Sequence, residues 1–354
     1  MLPLNWQRVR LGDIANYLTS NLSAEQITQQ GKIKVYDVNN FIGYTDTTFI
    51  SDKPYISIVK DGSVGRVRIL PPKTNILSTM GALIANHRTT TEFLFYLLSN
   101  FDFKNFTSGS IIPHIYFKDY KEKTIFLPPL NEQIAIANIL SGLDRYLCTL
   151  DALILKKEGV KKSLSFELLS QKKRLKGFNQ AWQRVRLGDI ANYLTSNLSA
   201  EQITQQGKIK VYDVNNFIGY TDTTFISDKP YISIVKDGSV GRVRILPPKT
   251  NILSTMGALI ANHRTTTEFL FYLLSNFDFK NFTSGSIIPH IYFKDYKEKT
   301  IFLPPLNEQS AIANILSDLD NEIASLKNKK RQFENIKKAL NHDLMSAKIR
   351  VLKK

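Results

Sequence analysis

The chain has 354 residues, of which 43% are hydrophobic, and a formal net charge of +16. This length allows two folded domains with a connecting element, and the composition excludes a disordered chain. The single cysteine, Cys148, excludes disulfides within the chain and cysteine-based zinc sites; with no signal peptide and no apolar run of about 18 residues, we expect a cytoplasmic protein.

The first predicted elements are short and rich in β-type sequence. Residues 9–11 alternate with arginines and predict a half-buried strand, after which Gly12-Asp13 turns the chain into a brief helix. The polar tract 19–31 predicts a loop, residues 33–38 predict a second strand, and residues 39–44 predict a tight turn. The chain therefore begins as a mixed α/β module.

A basic β-hairpin is predicted next. Two β-rich runs, 55–59 and 67–70, flank Lys60-Asp-Gly-Ser-Val-Gly-Arg66, in which Asp-Gly is a strong turn signal. The glycine spacing is not that of a nucleotide-binding loop. We interpret the tip as a surface offered to nucleic acid, with a solvated turn as the alternative.

A buried helix and a polar loop complete the module. Residues 76–85 continue the β-type sequence, and residues 91–99 predict a threonine-capped helix that is apolar nearly all round and therefore buried. In the loop 106–114, His114 either touches a base edge or phosphate or caps a turn. The histidines lack ligand-like spacing to carboxylates, so we predict no metal site.

A long helix follows the module. Pro128-Pro129 end the β-rich region, Asn131 can cap the helix, and Glu132 lies favourably at its positive end. Apolar residues then recur at steps of four and three, a heptad seam. The seam residues are Ile136, Leu140, Leu143, Leu147, Leu150 and Ile154 in the first helix, and Ile312, Leu316, Leu319, Ile323 and Leu326, continuing through Phe333, Leu340 and Leu344, in the second. Cys148 is predicted to pack in this repeat.

Lysines accompany both helical seams. They are predicted on the outer faces, where they either solvate the helix or contact passing DNA. They are Lys156, Lys157, Lys161 and Lys162 in the first helix, and Lys327, Lys329 and Lys330, with Arg331, in the second.

The chain contains one long internal repeat. Residues 6–133 recur without one substitution as residues 182–309, and each copy carries +3, whereas 134–181 and 310–354 each carry +5. This basic balance favours an anionic partner, nucleic acid ahead of membrane. Because few residues connect the first helix to the second module, the second helix must run antiparallel to the first. Two identical modules on a stiff two-fold spacer match a duplex target that is an inverted repeat with unread base pairs between its halves.

The motifs resemble the specificity subunit of type I restriction–modification enzymes over essentially the whole chain. The resemblance rests on the run from Trp6 to Ala15, on Lys60–Arg66, on Gly109-Ser-Ile-Ile-Pro-His114, and on Leu127-Pro-Pro-Leu-Asn-Glu-Gln133, which opens the long helix. It implies two target recognition domains, each binding half of a bipartite DNA site. It also implies antiparallel helices that dock two methyltransferase subunits and, in the full enzyme, restriction subunits that translocate DNA. The family's two domains normally differ, whereas these are identical, which points to a palindromic target.

Sequence readout needs directional donors and acceptors, while lysines and arginines hold phosphates. The expected base-reading residues are Asn39, Asn40, Tyr44, Ser63, Arg66, Ser108, Ser110 and His114, and the expected phosphate contacts are Lys60, Arg68 and Lys118. Their copies are Asn215, Asn216, Tyr220, Ser239, Arg242, Ser284, Ser286 and His290, and Lys236, Arg244 and Lys294.

The sequence lacks the catalytic motifs of methyltransferases, translocases and nucleases. The chain has no methyltransferase-type Asn/Asp-Pro-Pro-Tyr motif, no P-loop and no nuclease-like carboxylate cluster. We therefore expect a non-catalytic subunit that binds no cofactor, with S-adenosylmethionine, ATP and Mg²⁺ belonging to its partners. The alternative function is a stand-alone DNA-binding regulator with the same two-fold geometry.

These inferences combine into an α+β fold with two mixed α/β target recognition domains, joined by a long antiparallel two-helix coiled coil with pseudo-two-fold symmetry. The predicted parts are a first recognition domain (1–130), a central spacer helix (131–181), a second recognition domain (182–306) and a C-terminal spacer helix (307–354).

Overall fold

The computed structural model describes residues 5–351, which divide into two compact units. The first unit comprises the described residues of Met1–Asp151 and Asn328–Lys354, and the second comprises Ala152–Lys327. Each unit holds one module, the first part of the long helix that follows it and the last part of the other long helix. Within residues 5–351, no helix is both long enough and apolar enough to cross a bilayer.

The first module is built from short strands and two helices, with single 3-10 turns between them. Its strands are β1 (Gln7–Arg10), β2 (Ala15–Thr19), β3 (Ile33–Tyr36), β4 (Phe41–Thr45), β5 (Tyr55–Val59), β6 (Val67–Leu70), β7 (Asn75–Ile76), β8 (Met80–Ala85) and β9 (Thr124–Leu127). Its helices are α1 (Thr91–Ser99) and α2 (Phe117–Tyr120).

The strands form three sheets around β5. The largest has the order β2-β8-β5-β6 and is antiparallel throughout, a second has the order β4-β3-β7, and β1 pairs with β9. All five residues of β5 are buried because both of its faces are covered. Ile56 and Ile58 join the core beneath α1, whereas Tyr55 and Val59 join a second cluster with Ile76.

Helix α1 covers the central sheet. The Thr90 hydroxyl accepts a hydrogen bond from the Phe93 N–H at 3.2 Å, a standard N-cap. Phe93, Leu94 and Leu98 are fully buried against the sheet. The predicted threonine-capped, buried helix is confirmed.

The second module repeats these elements and has two additional two-residue strands, Thr283–Ser284 and His290–Ile291, where the first module has an isolated bridge between Ser108 and His114. Its strands are β10 (Gln183–Arg186), β11 (Ala191–Thr195), β12 (Ile209–Tyr212), β13 (Phe217–Thr221), β14 (Tyr231–Val235), β15 (Val243–Leu246), β16 (Asn251–Ile252), β17 (Met256–Ala261), β18 (Thr283–Ser284), β19 (His290–Ile291) and β20 (Thr300–Leu303). Its helices are α4 (Thr267–Ser275) and α5 (Phe293–Tyr296).

The two long helices are α3 (Leu130–Leu169) and α6 (Leu306–Met345), 40 residues each. Chain numbers along one helix rise as those of its neighbour fall. In the first unit the ring centroids of Tyr146 and Phe333 lie 4.7 Å apart, and Asp144 pairs with Lys337. In the second unit Lys157 pairs with Glu322, and the Lys161 ammonium lies 2.5 Å from Asp320. The α+β modules and the antiparallel helix pairing are therefore confirmed within each unit.

The ion pairs correct the expected position of four of the lysines. Lys157 and Lys161 do not line an outer face but face acidic residues of the neighbouring helix, and Lys327 and Lys330 do the same toward Glu158 and Asp151. They flank the apolar seam, where opposite charges meet across a helix pair. Cys148 is exposed, so its predicted packing role was wrong; it lies off the seam defined by Leu147 and Leu150.

A buried carboxylate joins each module to its helices. Glu132, almost fully buried, accepts a hydrogen bond from the Trp6 indole at 3.1 Å and pairs with Arg350 at 3.2 Å. In the second unit Glu308 has the equivalent partners Trp182 and Arg174. The segment that follows α6 thus completes the first unit, and the segment that follows α3 completes the second.

The neighbouring glutamine uses its whole hydrogen-bonding capacity. The Gln133 carbonyl accepts from the Thr89 hydroxyl and the Thr90 N–H, and its amide donates to the carbonyls of Arg88 and Pro128, all within 3.1 Å. This fully satisfied buried side chain fixes the loop before α1 to the start of α3. It is the physical reason for Glu-Gln at the opening of the helix.

A further contact ties α1 to the helix pair. The Tyr96 hydroxyl donates to Asp144 at 2.8 Å, and the Lys337 ammonium also lies over the Tyr96 ring. Burial, and then the hydrogen bond to Asp144, raises the pKa of Tyr96 above its ordinary value, which strengthens the preference for a protonated, donating hydroxyl. Tyr272, Asp320 and Lys161 repeat this arrangement in the second unit.

Several local predictions need correction. Residues 15–19 form β2, which the sequence did not indicate, after a single 3-10 turn at Leu11–Asp13. Tyr44 lies in β4 and not in a turn, because Phe41–Thr45 pairs with β3. Helix α3 begins at Leu130, so Asn131 lies in its first turn and bonds the Glu132 N–H instead of capping the helix.

Candidate nucleic-acid interface

The predicted contact residues of each module come from three segments. In the first module these are the 37–40 turn between β3 and β4, the 60–66 loop between β5 and β6, and the 108–114 loop after α1. The strands next to the first two segments carry Tyr44 and Arg68, and α2 carries Lys118. The structure joins the three segments by specific contacts.

The 37–40 turn presents two asparagine side chains. The Asp37 carboxylate accepts hydrogen bonds from the N–H groups of Asn39 and Asn40 at 2.8 and 2.7 Å. In this Asx-type turn the acidic side chain is bonded to backbone N–H groups. Both asparagines are exposed.

Arg68 fixes this turn to the central sheet. Its guanidinium donates to the Asn39 carbonyl at 2.8 Å and lies over the Tyr36 ring, 5.3 Å from the centroid. In the second module Arg242 also donates to the Asn215 side-chain carbonyl at 2.8 Å. Arg68 therefore supports the asparagine turn; its contact with a phosphate stays a prediction.

Aromatic side chains continue the surface along β4. The ring centroids of Phe41 and Tyr44 lie 5.1 Å apart, and Phe41 also packs edge-on against Tyr36. Tyr44 is thereby held within the same group of residues as Arg68 and Asn39. Ser63 and Arg66 are exposed in the 60–66 loop.

The 60–66 loop is bonded directly to the 108–114 loop. The Gly62 N–H donates to the Pro113 carbonyl at 2.9 Å, and the Ile115 N–H donates to the Lys60 carbonyl at 2.9 Å. Between these bonds the Asp61 carboxylate meets His114 Nδ1 at 2.7 Å. These three contacts hold the two loops together.

The contact with Asp61 decides between the two interpretations of His114 only in part. One ring nitrogen is taken up by Asp61, which orients the imidazole, and no hydrogen bond to Nε2 occurs within residues 5–351. The ring can therefore still offer Nε2 to a ligand. Asp61 was not among the predicted residues, because Asp-Gly at a hairpin indicates only a turn.

Tyr116 and Lys118 extend the surface beyond His114. The Tyr116 ring lies nearly parallel to His114 with centroids 6.4 Å apart, and the Lys118 ammonium lies 5.6 Å from the Tyr116 centroid. Tyr116 is about half exposed and was also missed, since a lone tyrosine gives no periodic signal. An exposed aromatic beside a lysine is a suitable surface for a polyanion with flat bases.

The second module reproduces the interface. Arg244 donates to the Asn215 carbonyl at 2.9 Å, Asp237 meets His290 at 2.7 Å, and the Gly238 N–H donates to the Pro289 carbonyl at 2.9 Å. The candidate residues of both modules thus lie on equivalent surfaces. They carry exposed amides, hydroxyls and cationic groups, which suit base edges and phosphates.

Both the sequence and the fold are similar to those of known proteins. A model of the type I restriction modification DNA specificity domain matches residues 3–162 and 179–335. The type I restriction enzyme MjaVIII specificity subunit of Methanocaldococcus jannaschii is 26% identical, over 99% of this chain and 94% of that protein.

Two solved structures have a similar fold. The crystal structure of a type I restriction–modification system S subunit from M. genitalium has a TM-score of 0.66 at 23% identity, with 96% of each chain covered. A second structure, solved to give the structural basis of complex assembly and conformational transition in the type I restriction–modification system, has a TM-score of 0.59 at 16% identity, with 98% of each chain covered. At these identities the likeness shows the fold.

Proposed function

The chain belongs to the specificity subunits of type I restriction–modification enzymes, and from this premise we propose that it binds a bipartite, palindromic DNA site with an unread gap. In this proposal the chain supplies the DNA address and no chemistry. Methyltransferase subunits bring S-adenosylmethionine, and restriction subunits bring ATP and Mg²⁺.

The observation that carries the proposal is the identity of the two interfaces. Residues 6–133 and 182–309 have the same sequence, and the contacts that hold the interface recur in both modules, as with Asp61–His114 and Asp237–His290. Equal surfaces have equal preferences among base sequences. Each module therefore binds the same half-site.

The orientation of the half-sites follows from the helices. In the first unit α3 continues from the module and α6 returns to it, and in the second unit the two helices exchange these roles. Because α3 and α6 run in opposite senses within each unit, we propose that the two half-sites are inverted copies. A direct repeat would require parallel helices.

Exposed apolar residues on the helices support docking of methyltransferase subunits. Leu130, Ile134 and Ile139 are exposed on the first-unit part of α3, and Leu155 is 72% exposed on its second-unit part. Apolar side chains outside the seam contribute nothing to the pairing of α3 with α6. They suit a protein partner that packs against the helices.

Methylome sequencing of a host that expresses this chain with its methyltransferase tests the proposal. We expect methylation of one interrupted motif whose two halves are inverted copies. Methylated sites with unlike halves would contradict it. Co-purification of the methyltransferase with the tagged chain, scored in the same cells, distinguishes this function from a stand-alone DNA-binding regulator.

A further inference from the structure

The tip of the 108–114 loop is unusually apolar for a polar surface. Ile111 is 92% exposed, the largest value among the large hydrophobic side chains within residues 5–351, and Ile287 in the second module has the same value. Ile112 beside it is more than half exposed. Single exposed isoleucines are common, so exposure alone implies no ligand.

The loop holds this tip in a fixed shape. Ser108 and His114 exchange two backbone hydrogen bonds, N–H to carbonyl, at 2.9 and 2.7 Å, which close the loop at its base. Gly109 has a φ of +89°, and a Cβ there would lie 2.3 Å from the Ile112 carbonyl oxygen, so only glycine fits. The bond from Gly62 to Pro113 adds a second anchor. Ile111 therefore projects from a braced loop.

The surroundings of the tip are those of a group that binds DNA. Ser108 and Ser110 are exposed hydroxyls of the same loop, His114 closes it, and the Lys118 ammonium lies beside the neighbouring Tyr116. The cation complements phosphates, and the hydroxyls complement base edges. An apolar side chain among them would be buried favourably against an apolar group inside the same groove.

The DNA major groove offers one such group, the C5-methyl of thymine. We propose that Ile111 and Ile287 each contact a thymine methyl in their half-site, and so help to determine which bases are accepted. This inference rests on the proposed function, because it assumes that each module binds a half-site. It requires a thymine at the same position of both halves.

Substitution of single thymines by deoxyuridine tests the contact, because it removes one methyl group and leaves pairing intact. The probe is a duplex that carries the motif found by methylome sequencing, bound by the complex of the chain with its methyltransferase. Each half-site should contain one thymine at which deoxyuridine weakens binding. Deoxyuridine at that position in one half-site should weaken binding about fourfold, the factor expected for burial of one methyl group, and in both half-sites about fifteenfold.

The double variant Ile111→Ser with Ile287→Ser should bind the thymine duplex as weakly as the wild type binds the deoxyuridine duplex. It should also lose its sensitivity to deoxyuridine, because the two changes remove the same contact. The control variant Phe49→Ser with Phe225→Ser removes side chains that are 40% exposed and line a different pocket of each module, and it should keep the wild-type sensitivity.

Three results would overturn the inference. They are indifference of the wild type to deoxyuridine at every thymine, full sensitivity in the isoleucine variant, and release of the methyltransferase by that variant with DNA sensitivity unchanged. The last result would make the tip a protein-docking surface. Binding of the wild-type complex to the duplex without deoxyuridine tests the proposed function separately. If that binding is absent, the proposed function itself fails.

Discussion

At the scale of single residues, the interface divides into side chains that are available to DNA and side chains that hold them. Asn39 and Asn40 are exposed, whereas Asp37 and Arg68 form hydrogen bonds with the backbone of the turn that carries the two asparagines. Asp61 plays the same part for His114. We therefore expect substitution of a positioning residue and substitution of a contacting residue to have different effects on DNA binding.

Replacing Asn39 and Asn215 by alanine should remove a direct base contact from both half-sites. We expect binding to weaken by about tenfold to hundredfold per half-site and specificity to relax at one base pair of each half, since a bidentate contact discriminates by about 1–3 kcal/mol. Fluorescence anisotropy with duplexes altered one base pair at a time measures both effects.

The matched control removes charge instead of readout. Lys118→Ala with Lys294→Ala should weaken binding to all duplexes evenly and lower the slope of log affinity against log salt by about 2, one for each phosphate that a lysine no longer neutralises. An asparagine variant that behaves like this lysine variant would show that Asn39 touches phosphate and not a base.

At the scale of elements, the start of α3 is held by one buried side chain. Gln133→Ala should remove the hydrogen-bond partner of the Arg88 and Pro128 carbonyls, the Thr89 hydroxyl and the Thr90 N–H, and destabilise the first unit by about 3 kcal/mol. Asn131→Ala, two residues earlier and exposed, removes a single hydrogen bond and should cost about 1 kcal/mol or less. Thermal denaturation of both variants compares the two; equal destabilisation would contradict the assigned role of Gln133.

The register of the helix pair can be tested by exchanging charges. Lys157 and Glu322 meet at 2.8 Å in the second unit, both partly exposed. Lys157→Glu and Glu322→Lys should each lower the melting temperature, and the double variant should recover it, with a coupling energy of about 0.5 kcal/mol. Lys156→Glu paired with Glu322→Lys should show no recovery; recovery in that pair would move the register by one residue.

The sequence predicts elements whose determinants are local and misses those that depend on distant partners. The apolar, threonine-capped helix at 91–99 and the heptad seams are visible as patterns along the chain. Strand β2 is not, because Ala15–Thr19 lacks a clear alternation and is specified by pairing with β8, about 65 residues later. Strand β4 likewise takes Tyr44 from a predicted turn through its pairing with β3.

The candidate site follows the same rule. Residue types in turns and glycine-bearing loops indicate the three segments, since such positions favour exposed polar groups. The bonds between those segments, such as Gly62 to Pro113 and Asp61 to His114, cross more than 50 residues and leave no periodic trace. That is why Asp61 and Tyr116 were absent from the predicted set.

At the scale of the whole molecule, two identical modules make each half of the target separately testable. Asn215→Ala alone, with Asn39 intact, should relax only one half of the methylated motif and turn a palindrome into an asymmetric site. Methylome sequencing of the single variant checks this result. Relaxation of both halves together would contradict the assignment of one half-site to each module.

The pairing of Glu132 with Arg350 determines which unit can complete its folding first during synthesis. The first unit needs residues that follow α6, so its buried carboxylate has no counter-charge until the second module and α6 have been synthesised. The second unit has no such delay, because Arg174 leaves the ribosome before Trp182 and Glu308. The module synthesised first is thus the one whose folding is finished last.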